Sequence, residues 1–142
     1  MKKKYLYPFI VLIFLYYSPS GFAEIVVITN PSSGIESISQ EELKEIYLRR
    51  KRKTIYGKRV NPVDMEDDIE IRDHFYSSIT GRTTRQMDRH WSALLFAGEG
   101  SPPRMLPSQQ AVVTYVANTK DAIGFVERTN VTGQVKIIFI LN

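Results

Sequence analysis

The residue types that could do chemistry in this chain suit an anion better than they suit a reaction. Ser32 and Ser33 lie in Asn30-Pro-Ser-Ser-Gly34, a turn-rich stretch that follows the β-branched run Ile25-Val-Val-Ile-Thr29. Ser39 precedes Glu42 by three residues, the spacing of a capping box, so a helix is expected to start there. Hydroxyls and free backbone N–H groups at a helix start suit an oxyanion. The same residues also serve any ordinary strand-to-helix loop. Arg72, near the start of a second amphipathic pattern, adds a charge of the right sign; a solvent-facing helical arginine would read the same way.

Catalysis finds little support. His74 and His90 are the only histidines, each inside a helical pattern and neither within a recognisable catalytic motif. The G-x-S-x-G, H-E-x-x-H and G-x-x-x-x-G-K-[ST] signatures are absent. No cysteine occurs, which excludes disulfides, thiol nucleophiles and thiolate metal sites. The chain therefore reads as non-enzymatic, with no cofactor and no zinc. The acidic run Asp64, Glu66, Asp67, Asp68 and Glu70 invites a calcium loop. Counted from Asp64, however, the sixth and twelfth positions hold Ile69 and Phe75 where Gly and Glu are needed. Favourable charge at the amino end of the next helix explains the run more simply.

The elements that must hold these residues follow from punctuation and periodicity. Residues 1–23 read as a signal peptide: Lys2-Lys3-Lys4, an apolar stretch from Tyr5 to Tyr17, and the small-x-small Gly21-Phe22-Ala23. That apolar stretch, 13 residues with Pro8 inside it, is too short to span a bilayer core of about 30 Å as a stable helix. Residues 24–142 are expected to form one exported domain, periplasmic or secreted. They carry 16 basic against 15 acidic residues, so a nucleic-acid partner is not indicated.

Leu43, Ile46 and Tyr47 make the buried stripe of the first helix. Arg49, Arg50, Lys51, Arg52 and Lys53 come next, then a turn at Tyr56-Gly57. That cationic run could be a solvated hairpin, or a patch facing an acidic protein or lipid headgroups. Val60 to Met65 reads as a strand broken at Pro62, as at an edge or a strand end. Ile71, Phe75, Tyr76 and Ile79 line a second helix closed by Gly81. Thr83 and Gln86 open a third, with Met87, Trp91, Leu94 and Leu95 as its buried stripe and Gly98 to Pro103 as a loop beyond it. Ser108 caps a fourth, faced by Val112, Tyr115 and Val116. Ala122 to Val126 and Val135 to Leu141 are apolar strands joined through Asn130 to Gly133. The expected fold class is α/β, a helix-flanked mixed sheet.

Ile28-Thr-Asn-Pro31, the Leu-x-x-Ile-Tyr-Leu of 43–48, Pro62-Val-Asp64, Arg72-x-x-Phe75 and Asp121-Ala-Ile-Gly-Phe-Val126 occur in this order. Together they resemble one lobe of the phosphate-type, type II periplasmic solute-binding proteins of ABC transporters. The resemblance implies a small anion at loop and helix ends, with Asn30, Ser32, Ser33, Asp64, Arg72 and Gly124 as candidate ligand-binding residues. It departs where the family places Ser-Gly-Thr before the Arg-x-x-Phe turn, because Ile69-Glu-Ile71 stands here. Two further expectations stay open: a protein partner held by the Arg49 to Lys53 patch, and self-association that rebuilds a two-lobed cleft.

Overall fold

A computed structural model describes residues 23–142; the expected signal peptide lies outside the described residues apart from Ala23. Strand β1 (Ile25–Thr29) is followed by α1 (Gln40–Tyr47), β2 (Asn61–Met65), α2 (Ile69–Thr80) and α3 (Thr84–Phe96). Then come β3 (Arg104–Leu106), α4 (Gln109–Asn118), β4 (Ala122–Glu127), a single 3-10 turn and β5 (Lys136–Ile140). The sheet order is β3-β2-β4-β1-β5. β2 pairs in parallel with both β3 and β4, whereas β1 runs antiparallel to its neighbours β4 and β5. Four strands thus share one direction and β1 alone opposes them, which makes the expected mixed sheet.

All five residues of β1 are buried, so helices cover both faces of the sheet. β4 tells which helices sit where. The Cα of Gly124 faces Val112 and Val116 of α4. Its neighbour Phe125, pointing the other way, stacks on Phe75 with ring centroids 3.9 Å apart and meets Tyr47 and Tyr76 edge-on. So α4 lies on one face and α1 and α2 on the other. α3 is fastened behind them by two hydrogen bonds onto the end of α1: Trp91 Nε1 donates to the Tyr47 carbonyl, and His90 Nε2 to that of Leu48.

The helix ends match their sequence signals. Ser39 with Glu42, and Thr83 with Gln86, form complete capping boxes. Asp68 from the acidic run caps α2, and Ser108 caps α4. Gly81 ends α2 at φ 71°, a left-handed position that a side chain would strain. No described helix is long and apolar enough to cross a membrane.

The structure corrects two expectations, on β3 and on Leu95. β3 forms inside what reads as irregular chain, because three residues are too few to show a period. β2 is an inner strand, and Pro62 stands at its end, one of the two places expected for it. Pro62 fits because the Asn61 N–H points to β4 and bonds the Asp121 carbonyl, so the next residue faces the side where β3 begins only opposite Val63. β4 and β5 flank β1. Leu95 is 58% exposed, since Met87 and Trp91 already span the buried stripe of α3.

Candidate functional site

The opposed direction of β1 separates the candidate residues. Asn30, Ser32 and Ser33 leave the carboxyl end of β1, which is the end where β2 and β4 begin: Thr29 pairs with Ile123 and Asn61 with Ala122. Asp64 and Arg72 lie at the other end, where β2 stops and α2 starts. Gly124 lies mid-strand between them. The six residues do not line one pocket.

At the carboxyl end of β2 the charges are already satisfied. Asp64 is 1% exposed and Arg72 6%. Arg72 grips Asp64 with two parallel hydrogen bonds, Nε to Oδ1 at 3.0 Å and an Nη to Oδ2 at 2.9 Å. The Tyr76 hydroxyl donates to the same carboxylate at 2.7 Å and the Met65 N–H at 2.7 Å. Burial alone would lower the Arg72 pKa, yet hydrogen bonding and charge from Asp64 raise it above the ordinary value. Burial first, and the Asp64 charge second, push the Tyr76 and Tyr47 hydroxyls well above 10.0, so both stay protonated. Asp64 thus occupies the place an anionic ligand would take on Arg72. Beyond it, Gln109 bonds Asp68 and Glu127 through its side-chain amide and accepts from Asn130. This end is acidic and internally paired.

Two other candidates are structural. A Cβ built on Gly124 would sit 2.6 Å from Val112 and 3.0 Å from Val63, so this glycine lets α4 approach the sheet. The Asn30 amide donates to the Val116 and Ala117 carbonyls at 3.2 and 2.8 Å, closing the end of α4, and its oxygen accepts from the Ser32 N–H. Both placements have one cause: the close fit of α4, which no local pattern reveals.

Ser32 and Ser33 meet a different set of partners. With Gly34 they border a cleft of about 420 Å³ whose other walls are Lys58, Arg59, Lys120 and Asp121. Three segments converge there: the loop after β1, the hairpin that enters β2 and the turn that enters β4. Ser33 Oγ accepts from the Ile35 N–H and fixes the loop. Asp121 is turned toward Asn61, which donates to it at 2.6 Å, with Arg59 3.9 Å away. Three cations therefore border the cleft against one engaged carboxylate. Lys58, Arg59 and Lys120 were missed as site residues because nothing in their local sequence tells that the hairpin and the β4 turn meet the serines. The visible signal was their sign and their place just before two strands.

The proposed partner patch divides as well. Arg49 ends α1 in a Schellman arrangement: its N–H bonds Ile46, that of Arg50 bonds Glu45, and its φ is 62°. Arg49 Nε is buried without a partner, and burial, helped by the Arg52 charge, lowers its pKa. Arg50 pairs with Glu45 at 3.2 Å. Lys51, Arg52 and Lys53 remain exposed.

In fold, this architecture is similar to part of several solved phosphate-transport binding proteins. A phosphate ABC transporter substrate-binding protein from Clostridium perfringens, solved with bound phosphate, matches at a TM-score of 0.65 and 15% identity. A phosphate transport receptor from Vibrio cholerae matches at 0.54 and 18%, and a possible phosphate-binding protein from Planctomyces limnophilus at 0.59 and 15%. Each alignment covers 82% of this chain but only 44%, 45% and 40% of the respective partner, so the chain spans under half the length of these structures. At these identities the likeness is one of fold. No protein-family model matches the chain, and no curated protein matches it.

Proposed function

We propose that this is an exported, non-enzymatic relative of the phosphate-type solute-binding proteins that weakly recognises an oxyanion such as phosphate, in the cleft lined by Ser32, Ser33, Lys58, Arg59 and Lys120. The observation that carries the reading is the charge polarity of the sheet ends. The amino end of the four aligned strands presents three cations around one cleft. The other end holds Asp64, Asp68 and Glu127, and its arginines are already paired, Arg72 with Asp64 and Arg128 with Glu24. The neighbours' phosphate ligand and transport role supply the class of solute. A cleft open to water weakens each ion pair to about 1 kcal/mol or less, so affinity in the millimolar range is expected.

Calorimetry with phosphate and sulfate tests this. Lys58→Ser with Lys120→Ser should weaken binding on the order of tenfold, and Arg72→Lys should leave it unchanged. Absence of heat at millimolar anion, or binding indifferent to both lysines, would refute the assignment.

A further inference from the structure

The hairpin that supplies Lys58 and Arg59 to the cleft carries a second feature at its tip, where Tyr56 borders Gly34 to Ser37. The Val60 N–H bonds the Arg52 carbonyl, Lys53 bridges to Arg59, and the Thr54 N–H bonds Lys58. The turn closes with the Gly57 N–H on the Thr54 carbonyl. Ile55 and Tyr56 stand at its apex, 69% and 79% exposed. Glu42, whose carboxylate accepts from the Ile55 N–H at 2.8 Å, holds the apex in place from α1. Set back from the apex on both arms are Lys51, Arg52, Lys53, Lys58 and Arg59, all exposed. No acidic residue occurs between Glu45 and Asp64.

We propose that this hairpin docks the protein on an anionic lipid surface, Ile55 and Tyr56 entering the headgroup boundary while the five cations pair with lipid phosphates. The arrangement selects a membrane over an acidic protein for a steric reason. The apolar pair is at the exposed tip of a hairpin, where a folded partner would need a matching pocket and a fluid headgroup layer needs none. An amphipathic ring above an aliphatic side chain suits that boundary. Cations near an anionic leaflet contribute about 1 kcal/mol each, falling off within a Debye length. One charge or one side chain would not hold the protein; five charges with two apolar residues can.

The test places the probe at the apex so that the amino-terminal apolar segment cannot supply the signal. Tyr56→Trp in the full chain is titrated with vesicles of phosphatidylglycerol and phosphatidylcholine in equal parts, some with brominated acyl chains. Wild type, whose only tryptophan is the buried Trp91, is the blank. The emission of the introduced indole should shift to the blue and be quenched by bromine on the mixed vesicles, reversibly with salt, and not on phosphatidylcholine alone. Replacing Lys51, Arg52 and Lys53 by Ser should weaken this response on the order of a hundredfold. Absent quenching on the mixed vesicles, equal quenching on neutral ones, or a response to polyglutamate in place of lipid would overturn the proposal.

Discussion

Asp64 decides what Arg72 can do. The pair is buried and held by two direct bonds, so removing one partner strands a charge away from water. Asp64→Ala should destabilise the fold by about 3–5 kcal/mol in urea unfolding, and the double variant with Arg72→Met should recover much of that loss. Additive losses would mean that the pair is not coupled. Gly124→Ala must push Val112 off β4 and should cost about 1–3 kcal/mol; an unchanged unfolding midpoint would contradict the close packing. These two residues mark what sequence cannot show at this scale. An arginine at a helix start and a glycine in an apolar strand look like ligand contacts until the side chain opposite each is known.

At the scale of elements, local signals were the most legible. The capping boxes at Ser39 and Thr83, the Gly81 stop and the Asp68 cap act within four residues, where sequence and geometry coincide. The end of α1 is the exception, because an arginine takes a left-handed position that favours glycine. Arg49→Gly should therefore stabilise the protein by about 1 kcal/mol; a loss of stability would show that the Arg49 stem contributes packing.

The hairpin is tied to α1 through Glu42, which accepts from both Ser39 and Ile55. Partial burial works against its charge, but the Ile55 and Ser39 hydrogen bonds prevail and lower its pKa below the ordinary 4.5. Its support is accordingly complete above that value and is lost as pH falls through the lowered one. The protection of the Ile55 amide, its exchange rate taken relative to an unstructured amide at the same pH, should fall upon acidification in wild type. In Glu42→Ala, which removes the acceptor, protection should be low at every pH; protection that ignored both changes would show that Glu42 does not hold the hairpin.

For the molecule as a whole, the number of strands and helices and the layered sheet follow from periodicity, apart from β3. Strand direction does not. The run Ile25 to Thr29 reads identically whether it is parallel or antiparallel, yet that choice puts Ser32 and Ser33 at the basic end of the sheet and Arg72 at the acidic end. Ser32 and Ser33 are thereby parted from Arg72 and joined to Lys58, Arg59 and Lys120. Which end of the sheet meets an oxyanion is therefore the deciding question. Amide chemical shifts followed by NMR through a phosphate titration test it most directly. The changes should concentrate at 32–34, 58–59 and 120–121, with Met65 to Arg72 still; changes centred on Met65 to Arg72, or none at all, would contradict it.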